Sequence, residues 1–163
     1  MKRLLVCGGL VGLAGTTLAA DPVLSATSYG RVVFGERLEA VEQRLGEKAP
    51  PPAETDGAHC REFEFKAYPG MFFMVEDGVV TRATSDQPVP TSLGPTVGAS
   101  LRTVRRKVPA IAVSAYPYDD RGHYLTLKTR DGKTALLMEE LQGKVIAVRG
   151  GLVPSVLYDE GCA

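Results

Sequence analysis

Cysteines offer the most definite chemistry in this chain of 163 residues. Cys7 lies in an apolar leader that we expect to be removed, which leaves Cys60 and Cys162. In an oxidising compartment, an even pair of cysteines is most simply a disulfide. Such a bridge would close about 100 residues and add about 4 to 5 kcal/mol of stability in the chain-entropy model. Two free thiols, or a link to another chain, are the alternatives.

The histidines are the next candidates for chemistry, and the sequence has two of them, His59 and His123. They occupy matching positions on two predicted strands, with the parity of inward-facing residues, so we expect both to be partly buried. A metal site formed by His123 with Asp119 or Asp120 is the alternative. No second cluster of residues has metal-ligand spacing, so we expect neither a metal ion nor a cofactor.

No catalytic motif accompanies these residues. The chain contains no G-x-S-x-G, H-E-x-x-H, Walker or G-x-G-x-x-G pattern. The adjacent carboxylates Glu139 and Glu140 would point to opposite faces of a strand, which does not suit a glycosidase pair. We therefore expect no catalytic residues, and we expect that the protein is not an enzyme.

A tyrosine-rich segment, residues 116–124, is the best candidate for recognition. It combines tyrosine with arginine and aspartate, a composition that protein interfaces favour because tyrosine offers a large rigid surface with a polar tip. The alternative is an ordinary packed loop before a strand.

The first 20 residues have the order of a secretion signal. Lys2 and Arg3 precede an apolar run, 4–18, which ends in Ala19 and Ala20. The run is short for a membrane span of about 20 residues, so we expect a cleaved signal peptide, 1–20, rather than an anchor. The remainder, 21–163, is predicted to be one domain in the periplasm or outside the cell, without stable membrane insertion. It carries 17 basic and 19 acidic side chains, and this balance gives no reason to expect nucleic acid as a partner.

An internal similarity predicts the fold. Apolar residues recur with helical spacing in two segments that are 63 residues apart: Leu38, Val41 and Leu45, then Leu101, Val104 and Val108. Each predicted helix ends at a breaker, Gly46 or Pro109, and Ser100 can cap the second helix. Three strands are predicted after each helix, with turns at Asp77-Gly78, Asp131-Gly132 and Gln142-Gly143. A last short strand is predicted near 153–158.

These elements predict an α+β fold with two tandem helix-strand-strand-strand repeats, at about 30–85 and 93–158. Both repeats would contribute to one antiparallel sheet with the helices packed on one face. Strand alternation places the following residues on the other, open face: Glu62, Glu64, Tyr124, Thr126 and Lys128. Cys60 shares the parity of Glu62, so the disulfide should lie on this open side.

The helix-entry steps Phe34-Gly35 and Val97-Gly98 resemble the tandem module of β-lactamase inhibitory protein. They also resemble the single module of the small lipoprotein of the outer-membrane barrel assembly machinery. Residues 73–78, 122–126 and 158–163 are similar to uncharacterised secreted proteins of Gram-negative bacteria. The first resemblance implies a concave sheet that clasps a protein, and the second implies an envelope scaffold.

The sequence therefore predicts a non-enzymatic exported binding protein whose partner is another envelope or secreted protein. Its open sheet face and tyrosine-rich loop would make the contact. An envelope structural or assembly scaffold is the alternative, and a hydrolase of envelope polymers, which would require a polar cleft around His123, is the third possibility. The candidate binding residues are Tyr116, Tyr118, Arg121, Tyr124, Lys128, Glu62 and Glu64.

Overall fold

A seven-stranded antiparallel sheet organises the protein. The computed structural model describes residues 21–53, 57 and 59–162, and the predicted signal peptide, 1–20, lies outside the described residues. The sheet has the order β3-β4-β5-β9-β8-β7-β6. Its strands are β3 (Cys60–Glu64), β4 (Phe72–Glu76), β5 (Val79–Ser85), β6 (Ala112–Ala115), β7 (Gly122–Lys128), β8 (Thr134–Leu141) and β9 (Lys144–Leu152). A second sheet pairs β1 (Ser28–Tyr29) with β2 (Val32–Val33).

Both predicted helices are confirmed. Helix α1 spans Leu38–Leu45 and ends at Gly46, which adopts the left-handed conformation with φ of 69°; glycine does so without the steric cost of a Cβ atom. Helix α2 spans Leu101–Lys107. Its N-cap is Ser100, whose hydroxyl accepts the backbone N–H of Thr103 at 3.1 Å. Both helices could be located from their apolar spacing and C-terminal breakers, and α2 also from its N-cap, whereas Arg37 at the start of α1 makes no side-chain cap hydrogen bond.

The predicted hairpin turns also form. Asp77-Gly78 joins β4 to β5, and Gln142-Gly143 joins β8 to β9. All four of these residues have positive φ, as a type I′ turn requires. Asp131-Gly132 lies in the connection between β7 and β8, where Thr129 pairs with Thr134.

The main core lies on the sheet face that packs against the helices. Register places Phe63, Phe73 and Ala83 in one row across β3, β4 and β5, and these residues share a buried cluster with Val41 and Val104, one from each helix. This agrees with the expectation that the helices pack on one face. Residues 24–26 also cross this face, and they approach Gly150 so closely that a Cβ atom there would lie 2.2 Å from the Ser25 carbonyl oxygen.

The opposite face has the predicted residues but is not open. Register confirms that Glu62 and Lys128 lie on the same row of this face. Residues 153–162 cross it, however, and Val156 is fully buried against Tyr124 and Leu137. The expectation of an open face was wrong because alternation assigns residues to a face without showing which later segment covers that face.

The strand predicted near 153–158 was also wrong. Residues Ser155–Leu157 form a 3₁₀ helix, in which the Leu157 N–H donates to the Pro154 carbonyl at 2.8 Å. This turn lets the chain leave β9 and double back over the sheet. Helix α2 is followed by four strands of the large sheet, one more than the three that were predicted, because β6 forms in a segment for which no strand was predicted.

Candidate functional site

The disulfide fixes the end of the chain to the covered face. Cys60 and Cys162 are bonded across a sequence separation of 102 residues, with their Cα atoms 5.4 Å apart. Cys60 opens β3 and Cys162 ends the segment that crosses the sheet. The predicted pairing is therefore confirmed, and residues 153–162, here called the C-terminal strap, are held to the sheet at both ends.

Two arginines from neighbouring strands of the sheet donate hydrogen bonds to the strap. Arg82 on β5 is 3% exposed, and its guanidinium donates to the carbonyl oxygens of Ser155 and Glu160 at 3.2 and 3.3 Å. It also donates to the Glu62 carboxylate at 2.6 Å. Glu62 is thus committed to an internal ion pair and is not a free contact residue.

Arg149 on β9 acts in the same way. It is 6% exposed, pairs with the Glu139 carboxylate and donates to the carbonyl of Tyr158. Its guanidinium carbon also lies 5.9 Å from the centre of the Tyr124 ring. Glu139 balances the buried charge, and strap carbonyls accept further N–H groups of the guanidinium, as a buried arginine requires. The Nε atoms of Arg149 and Arg82 are buried without a hydrogen-bond partner among the described residues.

The tyrosines form a ladder from the core to solvent. The ring centres of Tyr124 and Tyr116 are 5.2 Å apart, and those of Tyr116 and Tyr118 are 5.4 Å apart, with both pairs in edge-to-face geometry. Tyr124 is 8% exposed, Tyr116 is intermediate and Tyr118 is 56% exposed. The outermost ring is therefore the one available to a partner.

Hydrogen bonds to the strap hold both ends of this ladder. The Tyr124 hydroxyl donates to Asp159 at 3.1 Å, and the Tyr118 hydroxyl donates to Glu160 at 3.2 Å. Burial raises the pKa of Tyr124, as does its hydrogen bond to Asp159. Desolvation and the hydrogen bond to Glu160 raise the pKa of Tyr118. Both hydroxyls remain protonated donors at neutral pH.

The loop beyond the ladder is shaped by Asp119 and Arg121. The Asp119 carboxylate accepts the Arg121 backbone N–H at 2.8 Å and pairs with its guanidinium at 3.0 Å. The hydrogen bond from the Arg121 side chain lowers the pKa of Asp119, so this carboxyl is charged. A concavity of about 440 Å³ lies here, between Pro117 and Arg121, and Arg121 itself is exposed.

The other candidate binding residues lie apart from the loop. Glu64 accepts the backbone N–H of Gly70 at 2.9 Å, which commits it to a turn beside β3. Lys128 is exposed at the end of β7, near the opposite end of β6 from the tyrosine loop. The structure thus brings together the three tyrosines and Arg121, whereas Glu62 and Glu64 lie on β3 at the other edge of the sheet.

The histidines differ from each other. His59 is exposed and pairs with Asp77 at 2.9 Å, so the expectation that it is partly buried was wrong, because it precedes β3 and lies beside the β4–β5 turn. His123 is partly exposed, and its Nδ1 atom lies 2.6 Å from a carboxylate oxygen of Glu140, which is 1% exposed. Such a carboxylate can orient an imidazole for proton transfer. No group of three or more His, Cys, Asp and Glu residues in the described ranges is arranged to hold a metal ion.

Strand β6 is the part of the site that sequence reasoning missed. All four of its residues are exposed, and it forms one end of the sheet. Beside it lies a groove of about 470 Å³, lined by Ala112, Leu127, Lys128 and Leu157 among others. Pro109 and Pro117, which bracket the strand, were the available signal. We define the β6 surface as β6, this groove and the loop 116–121.

Comparisons of the chain with protein-family models, with curated proteins and with solved structures found no match. Across the part of the chain that the structure describes, no helix has the length and apolar character needed to cross a membrane. The interpretation of the site therefore rests on its own geometry.

Proposed function

We propose that the protein is a non-enzymatic exported binding protein that recognises another envelope or secreted protein through the β6 surface. The observation that carries the proposal is the exposed ring of Tyr118, which is held by its neighbour Tyr116 and by the Glu160 carboxylate. A pre-ordered tyrosine loses little conformational freedom on binding, and tyrosine and arginine are enriched among residues that dominate binding energy. Arg121 lies in the same loop and is also exposed.

The remaining surfaces of the sheet support this choice. One face is packed against α1 and α2, and the other is crossed by the C-terminal strap. Beside the β3 edge, the Arg61 guanidinium donates to the carbonyl of Pro50 at 2.7 Å, so an adjoining segment lies against that edge. The β6 surface is the end of the sheet where exposed backbone and exposed aromatic area occur together.

Export and duplication belong to the same proposal. The Cys60–Cys162 disulfide supports residence in an oxidising compartment, either the periplasm or the extracellular space. We propose further that the two segments 30–85 and 93–158 are tandem copies. Each contains one short helix followed by antiparallel strands, and the segments meet where β5 pairs with β9.

An affinity experiment with matched variants tests the proposed function. Wild type, Tyr118→Ala and Tyr158→Ala would each be used to capture proteins from the envelope and culture medium of the native cells. Tyr158 is also an exposed tyrosine, at 40%, but it lies on the strap near the disulfide. We expect a specific partner to be retained by wild type and Tyr158→Ala and lost with Tyr118→Ala.

Identical capture by all three proteins would contradict the proposed surface. Deletion of the gene separates this function from that of an envelope scaffold. Loss of a scaffold would change outer-membrane protein content or detergent sensitivity, whereas loss of a binding protein for a single partner would leave both unchanged.

A further inference from the structure

Strand β6 exposes backbone groups that can accept another strand. The Tyr116 N–H donates inward to the Gly122 carbonyl at 3.1 Å. In an antiparallel pair, residues alternate between facing the neighbouring strand and facing away from it. Ser114 and Ala112 therefore face β7, while Val113 and Ala115 direct their N–H and C=O groups away from the sheet.

Prolines limit this outward-facing row. Pro109 and Pro117 have the same parity as Val113 and Ala115, and proline has no N–H to donate. The Ile111 N–H already donates to the Val108 carbonyl at 3.1 Å. Val113 and Ala115 are thus the two residues of β6 that can form backbone hydrogen bonds with an added strand. The pairing of such a strand with β6 would therefore be short and its register defined.

The two ends of β6 carry opposite charge. The groove residues in the described chain include one cation, Lys128, and no acidic residue. At the other end, Asp119, Asp120 and Glu160 surround Tyr118, and Arg121 is the cation of that loop. A strand laid along β6 would therefore meet a basic site at one end and a net acidic site at the other.

We infer that the β6 surface binds an extended segment of the partner as an additional antiparallel strand, with a basic residue towards its N-terminus and an acidic residue towards its C-terminus. This inference rests on the proposed function. Antiparallel addition continues the pairing of the whole sheet and places the N-terminus of the segment beside the tyrosine loop. The two charges of the segment would have to reach from the tyrosine loop to Lys128, which at about 3.3 Å per residue corresponds to roughly six to eight residues. An even number of residues from one charge to the other directs both side chains to the strap side of the sheet.

Apolar or small residues are expected between these charges. Those on the strap side would contact the groove, where Ala112 and Leu157 provide apolar surface. Those on the opposite side would lie beside Val113, which is 37% exposed. The backbone hydrogen bonds would contribute affinity, and the charge order would select direction, as in other cases of strand addition.

Two synthetic peptides test the inference. Both contain alternating valine and threonine and have blocked ends; one has lysine near the N-terminus and glutamate near the C-terminus, and the other has these two residues exchanged. Binding would be measured at low salt by amide chemical shifts of the ¹⁵N-labelled protein. We expect the lysine-first peptide to bind about five- to tenfold more tightly, since exposed charge pairs each contribute only modestly, and to shift the amide signals of Val113 and Ala115.

Matched variants identify the backbone contact. Ala115→Pro removes one outward N–H, and we expect it to weaken peptide binding by about tenfold or more, whereas Ala115→Ser keeps the N–H and should bind like wild type. Unchanged circular dichroism would show that each variant is folded. Equal affinity for the two peptides, no detectable binding of either, or no effect of Ala115→Pro would overturn the inference.

The outcome also separates this inference from the proposed function. If the captured partner is lost with Tyr118→Ala but is retained by Ala115→Pro, the binding function stands and strand addition is wrong. If the protein self-associates in solution and Ala115→Pro makes it monomeric, a second copy occupies the edge, and the inference of a partner strand is overturned.

Discussion

Replacement of Arg149 by methionine tests whether the strap and the buried charges form one unit. The side chains of Arg149 and Glu139 are only 7% and 10% exposed. The substitution leaves the Glu139 carboxylate buried without its cation, and it leaves the Tyr158 carbonyl without the arginine donor. Breaking a buried pair by removing one partner costs about 3 to 5 kcal/mol. A domain of this size has a total stability of about 5 to 15 kcal/mol, so the variant should lose a large fraction of its free energy of unfolding.

The measurement is urea denaturation followed by far-ultraviolet circular dichroism, with the double variant Arg149→Met and Glu139→Leu included. Removal of both charges eliminates the unpaired carboxylate, so the double variant should be more stable than Arg149→Met alone. Arg44→Met is the control, because the pair of Arg44 with Glu36 is about one-third exposed and should be worth less than about 1 kcal/mol. If Arg149→Met cost no more than Arg44→Met, the buried pair would not stabilise the strap as we have argued.

Three further predictions follow from burial and capping. Reduction of the disulfide, or the substitution of Cys60 by serine, should lower the free energy of unfolding by about 4 to 5 kcal/mol, because the bridge spans 102 residues; a thermal midpoint unchanged by reducing agent would contradict this. Phe73→Ala should cost about 3 to 5 kcal/mol because the ring is fully buried, whereas Phe72→Ala, whose ring is 44% exposed, should cost much less; equal losses in chemical denaturation would refute the assignment of faces. Ser100→Ala should cost about 1 kcal/mol by removing the cap of α2, a loss that should appear as a lower urea midpoint with an unchanged slope.

Local features of the sequence were sufficient for most of the fold. Helix α2 could be located because Ser100, an apolar spacing of three and four residues, and Pro109 all give the same answer. The turns at Asp77-Gly78 and Gln142-Gly143 could be located because few residues tolerate positive φ. Each of these signals depends on neighbours within a few residues, and a single sequence displays such signals directly.

Long-range docking could not be predicted in the same way. Alternation placed Tyr124 on the correct face but gave no sign that Val156 would bury it. The strap lies on this face because the disulfide, the 3₁₀ turn and two arginines act together, and no local pattern links these features. Strand β6 was missed for another reason, since four small exposed residues show neither alternation nor strong strand propensity.

One signal in the sequence did point to the covered face. Arg82 and Arg149 each lie inside a strand among apolar, small or hydroxyl-bearing neighbours, and their partners Glu62 and Glu139 lie on the same face of the sheet on other strands. A charged residue within a buried strand requires both a counter-ion and acceptors for its remaining N–H groups.

The C-terminal strap meets part of this requirement. Its carbonyl groups at Ser155, Tyr158 and Glu160 accept N–H groups from both arginines. Displacement of the strap would leave the guanidinium groups of Arg82 and Arg149 without these acceptors, in addition to breaking its disulfide anchor. The strap is therefore part of the folded core rather than a cover that a ligand displaces. A partner of the kind we propose would leave the strap in place and bind beside it at the β6 surface, whose groove includes Leu157 of the strap.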